Sequence, residues 1–138
     1  MKGILTTLLF IIPIFSFGQH TTDTKLKIDK RLYEVYEADY LKRLRTTQPF
    51  VLKRLNFYLD NAFYLADYPT KKGDPDYPII EISDTENLNI LKLEQEQKLT
   101  RDFEKQVVYK IKGTNKILVY ISGKAFNKKL NEHLRRKY

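Results

Sequence analysis

The sequence predicts an α+β fold: an N-terminal antiparallel helix pair, an antiparallel sheet of about four strands, and a C-terminal helix. Three observations carry this. Apolar residues recur at helical spacing near both ends of the chain. Between them, 106–112 and 116–121 alternate apolar and polar residues around Gly113-Thr114-Asn115. The elements come in runs of one kind rather than in strand–helix alternation, which favours helices laid over one face of an antiparallel sheet.

The first helix is expected over about 25–46. Ile28, Leu32, Val35 and Tyr36 share one face, with Tyr33, Tyr40 and Leu44 along its edge. Asp39 interrupts that stripe; it either meets solvent or pairs with Arg43 one turn on. Thr47 and Pro49 suit the start of a second helix, about 48–67, because proline is tolerated in a first turn. Its stripe is Val51, Leu52, Leu55, Tyr58, Leu59, Ala62, Leu65 and Ala66. Three prolines and a glycine make 68–78 a loop. Short strands are expected at 79–82 and 88–93, and 94–104 reads equally as a short helix or an extended connection. After the 106–121 hairpin, Ser122 caps a last helix over about 123–136, with Phe126, Leu130 and Leu134 inward.

The chain's 138 residues start with a segment unlike the rest. Lys2 is its one charge, and a mostly apolar run from Ile4 to Phe15 follows. That run falls short of the ~20 residues a membrane-spanning helix needs, and fits the apolar region of a secretory signal peptide. Ser16 and Gly18 place small side chains where signal peptidase requires them. The Ser-Phe-Gly-Gln ending resembles export signals common in Gram-negative bacteria of the Bacteroidota group. The resemblance covers 1–18 only, and implies a periplasmic or secreted protein cleaved after Gly18. The alternative is an uncleaved N-terminal anchor. Residues 19–138 then form a single small domain, with 19–24 as a disordered lead-in.

The chain has 25 Lys+Arg against 17 Asp+Glu, a net charge of +8, and ten tyrosines. Excess positive charge favours anionic partners, and export removes nucleic acid from that set. With no cysteine, disulfides, thiolate zinc sites and cysteine nucleophiles are excluded.

No catalytic kit is visible. Ser83, Ser122, His20 and His133 are the only serines and histidines after residue 18, and no G-x-S-x-G elbow surrounds either serine. Asp67, Asp74 and Asp76 offer oxygens for calcium but lack the loop pattern of a calcium site. Glu81 with Glu94 or Glu96 is the only carboxylate pairing suggestive of hydrolysis. No cofactor motif or phosphate-cradling glycine loop is present.

Two constellations remain. Phe50, Phe57 and Tyr64 recur every seven residues on the expected second helix, opposite its main stripe, with Arg54 and Asn61 beside them. They suggest a partner-binding surface. Lys124, Lys128, Lys129, Arg135 and Arg136 cluster on the outer face of the last helix and suggest an anion-binding surface. The reading is an exported, non-catalytic interaction or accessory domain for an envelope protein partner. The alternatives are a module for an anionic envelope polymer or lipid headgroups, and then a small carboxylate-dependent hydrolase.

Overall fold

The structure is a computed structural model that describes residues 25–69 and 75–137. The expected signal segment, the lead-in at 19–24, and Asp74 of the proposed calcium loop lie outside the described residues.

The fold is α+β, with four α-helices and a four-stranded sheet among the described residues. The first expected helix is instead two pieces. Asp29 caps a single 3-10 turn, Lys30–Glu34, by accepting from Arg31 N at 2.9 Å. The chain breaks there and restarts as α1, Ala38–Thr47. Asp39 points to solvent and meets Lys42 at 3.7 Å rather than Arg43. Only Gln48 separates α1 from α2, Pro49–Asn61, which carries proline in its first turn as expected.

Helix α2 stops six residues before the expected end. Phe63–Asp67 is strand β1, paired along its full length with β4, Lys116–Tyr120. The stretch LNILKL, expected as a strand, is the start of α3, Ile90–Gln97. Asn89 makes the difference: it accepts from Lys92 N at 3.3 Å as an N-cap and donates to Arg31 O at 2.8 Å. Lys98 ends α3 in the left-handed conformation.

The sheet order is β1-β4-β3-β2, with β2 at Ile79–Ile80 and β3 at Val107–Ile111. It is mixed, not antiparallel throughout, because β2 runs parallel to β3. The β3–β4 hairpin is as expected. Gly113 turns it at φ +72°, a backbone region that glycine enters without steric cost.

Tyr109 and Ile111 on β3 and Leu118 and Tyr120 on β4 pack with Leu32, Leu41, Leu52, Leu59, Ile90, Phe126 and Leu130 into one core. The helices therefore cover this face of the sheet. Ile117 and Val119 lie on the opposite face and are also buried, apart from that core cluster. Helix α4, Gly123–Lys137, closes the core. Among the described residues, no helix is long and apolar enough to cross a membrane.

Candidate functional site

Helix α4 is anchored before its basic residues begin. Ser122 Oγ accepts from Ala125 N at 3.2 Å, as a helix cap does. Gly123 N donates to Asp102 O at 3.0 Å and Lys124 N to Phe103 O at 2.9 Å, so the 102–103 loop satisfies two further first-turn donors. Phe126 and Leu130 are buried, which fixes the helix's rotation. Lys124, Lys128, Lys129, Arg135 and Arg136 are consequently all exposed. Lys124 reaches Glu104 only at 4.0 Å, and the other four have no carboxylate within ion-pair distance among the described residues. At about 100° per residue, Lys124, Lys128 and Arg135 fall within about 40° of one another, and Lys129 with Arg136 lies about 100° further round, with the exposed Glu132 between the two sets.

The aromatic triplet does not form one stripe. Phe50 stands exposed on α2. Phe57 is packed between Phe126 and His133, with ring centroids 5.7 and 4.8 Å away. Tyr64 is on β1, because the helix that would have aligned it ends at Asn61, and it is 43% exposed on the sheet's outer face. Arg54 lies over the Phe126 ring at 5.3 Å, at the junction of α2 and α4. Asn61 donates to Phe57 O at 2.9 Å within its own helix.

A cleft of about 270 Å³ lies between α2 and α4, lined by Asn56, Phe57, Asp60, Asn61 and His133 among others. Asn56, Asp60 and Asn61 already have structural work. Asn56 donates to Lys27 O and accepts from Asp29 N; Asp60 holds Arg31.

The carboxylates separate. Glu81 and Glu96 share a cleft of about 260 Å³ with Ser83 and Asp84. Glu81 bonds Lys112 there, and that ammonium holds its carboxyl below the usual range, the opposite of what a general acid needs. Glu94 faces elsewhere: it accepts from Tyr58 Oη, with Arg101 Nε 3.8 Å from the same oxygen. Arg101 also caps the Tyr58 ring at 4.5 Å. Burial pushes the Tyr58 and Tyr120 phenols well above their ordinary range, and the neighbouring Glu94 carboxylate pushes them further. No group of three or more His, Asp or Glu among the described residues is placed to hold a metal.

The chain matches no protein-family model, no curated protein and no solved structure. The α4 surface and the bare strand β1 are therefore read on geometry alone. Sequence patterning exposed the first, through charge on one helix face. It missed the second and the Tyr58–Glu94–Arg101 cluster, because each depends on contacts between residues far apart in the chain.

Proposed function

We propose that this chain is an exported, non-catalytic binding domain of the cell envelope that engages an anionic polymer or lipid headgroups through the outer face of α4. One observation carries the reading. Five cations stand exposed on a single helix whose rotation is locked by Phe126 and Leu130, and four of them lack ion-pair partners among the described residues. Exposed cations held on one rigid face raise the local concentration of phosphate and carboxylate anions.

A second reading, docking of an envelope protein, is favoured by the exposure of Phe50 and Tyr64. Salt separates the two, since charge-driven binding weakens with ionic strength and aromatic docking does not.

The test is co-sedimentation of the exported form, residues 19–138, with anionic vesicles, zwitterionic vesicles and an acidic polysaccharide, at low and high salt. Binding to the anionic vesicles or the polysaccharide, lost at high salt, is expected. A basic residue near an anionic membrane contributes about 1 kcal/mol, so Lys128→Glu with Arg135→Glu should weaken binding at least tenfold, roughly. Salt-indifferent binding, or none to any anionic target, overturns the reading.

A further inference from the structure

The two edges of the sheet are built differently. β2 is two residues long and follows Pro78, so it offers almost no template for another strand. β1 is five residues long, contains no proline, and carries one charge, Asp67, at its end. It pairs with β4 on one side only.

The ladder shows which backbone groups of β1 remain open. Ile121 N donates to Ala62 O at 3.0 Å, and Tyr68 N donates to Asn115 O at 2.9 Å. In an antiparallel pair, hydrogen-bonded residues alternate with non-bonded ones. Residues 62, 64, 66 and 68 therefore turn their backbone groups toward β4. Phe63, Leu65 and Asp67 turn theirs outward, and no described residue takes them up.

We propose that this edge joins a second copy of the chain, β1 against β1 in antiparallel register about a two-fold axis at Leu65, making one continuous eight-stranded sheet. Paired with a second copy, the outward set is used in full in only one register. Centred on Leu65, Phe63 of each copy faces Asp67 of the other, and all three outward residues pair, giving about six backbone bonds. A register centred on Asp67 sets two carboxylates directly opposite, which is unfavourable; one centred on Phe63 leaves Leu65 and Asp67 without their counterparts. The side chains fit the same choice. Tyr64 on the outer face stands opposite Ala66 of the other copy, a large side chain beside a small one. Asp67 keeps its own counter-ion, with Lys116 Nζ 3.7 Å away, and meets no second carboxylate. Five paired residues make a small interface beside the roughly 1,200–2,000 Å² of a stable complex, so the dimer is weak and concentration-dependent. The basic face of α4 is not part of this edge, and the inference stands apart from the anion-binding reading.

The test combines sedimentation of the full chain over a concentration series with residue-resolved amide exchange. A monomer–dimer equilibrium is expected. Amides of Phe63, Leu65 and Asp67 should gain protection as concentration rises, while those of Tyr64 and Ala66 stay protected throughout. Two variants check the register: Tyr64→Lys with Ala66→Lys places like charges opposite and should abolish the dimer, and Tyr64→Lys with Ala66→Glu should restore it. Three results overturn the proposal. One is a monomer at every concentration with freely exchanging edge amides. Another is a dimer whose edge amides exchange at the monomer's rate. The third is a monomer with those amides protected at every dilution, which would mean that another segment of the same chain occupies the edge.

Discussion

Arg31 grips Asp60 across 29 residues of sequence with two parallel hydrogen bonds, Nη1 to Oδ1 at 2.8 Å and Nη2 to Oδ2 at 3.0 Å. The same guanidinium holds Asp29 through Nε at 3.1 Å and Nη2 at 2.9 Å. Asp29 N in turn donates to Asn56 Oδ1 at 3.1 Å. One planar fork thus ties the 3-10 turn to the outer side of α2, next to a core in which Leu32 is fully buried.

Replacing that fork should cost more than the loss of an ordinary surface ion pair. Arg31→Lys keeps the charge but cannot bond two carboxylates in one plane. Asp60 is largely exposed, which lowers what its half of the contact is worth. A loss of about 1–2 kcal/mol is expected for Arg31→Ala, with Arg31→Lys recovering only part of it, measured by denaturant unfolding. Equal stability of Arg31→Lys and the parent would show that charge alone suffices.

Acid should release the same contact. Hydrogen bonding to Arg31 holds the Asp29 carboxyl below its ordinary value. A group whose pKa is lower in the folded state stabilises the fold above its unfolded value, about 3.9, and loses that contribution as pH falls through the folded value. Asp84 and Asp102 move in the same direction: Asp84 is lowered chiefly by Asn87, and Asp102 by the backbone amides of Lys105 and Glu104. Stability should therefore fall as pH drops below about 4. Asp29→Asn should be less stable than the parent near neutrality, and the two should converge in strong acid. Parallel curves over the whole range would remove Asp29 from the account.

What the sequence disclosed and what it hid divide along contact distance. The α2 start, the β3–β4 hairpin and α4 rest on local chemistry at Pro49, Gly113 and Ser122, and all three are where patterning places them. The end of α2 was not legible. Leu65 and Ala66 continue its apolar stripe, and only pairing with β4, about fifty residues later, draws Phe63–Asp67 into a strand. In LNILKL the apolar residues satisfy a period of two nearly as well as 3.6, so Asn89 had to decide. Its contact with Arg31 O spans 58 residues. The break at Val35–Glu37 carries neither glycine nor proline to announce it. The candidate sites follow the same division. The α4 cations share one helix and were legible together, whereas the aromatic set dissolved once Tyr64 left the helix.

Gly123 is the one position where a single methyl group should loosen the anchoring of α4. A Cβ built there lies 2.8 Å from Phe103 Cδ2 and 3.2 Å from Phe103 Cα. The ring can swing aside, since Phe103 is exposed, but the Cα cannot retreat freely. Two backbone bonds, Gly123 to Asp102 and Lys124 to Phe103, hold that loop against the helix start. Alanine would ordinarily gain up to about 1 kcal/mol over glycine through reduced unfolded-state entropy. Here that gain is opposed by stretching both bonds. Gly123→Ala should come out about 1 kcal/mol less stable, with faster exchange at the amides of residues 123 and 124. A stabilised variant would show that the 102–103 loop yields without cost.

Tyr58 and Tyr120 make a matched pair for testing what the Glu94 carboxylate contributes. Both rings are buried and both phenols lie in its field. Tyr58 Oη donates to Glu94, whereas Tyr120 Oη lies near the same carboxylate but outside hydrogen-bond geometry. The hydroxyls should therefore behave unequally when removed. Tyr58→Phe deletes a hydrogen bond to a charged group and leaves Glu94 with Arg101 at 3.8 Å as its remaining counter-group, at an expected cost of about 1.5–3 kcal/mol. Tyr120→Phe deletes only that looser approach to Glu94 and keeps the ring's edge-on contact with Tyr109, so stability should change by less than about 1 kcal/mol. Glu94→Gln supplies the control. In that background Tyr58→Phe should cost clearly less, because the charge that strengthened its bond is gone. Equal costs in the two backgrounds would mean that the Tyr58 hydroxyl is held by something other than the Glu94 charge.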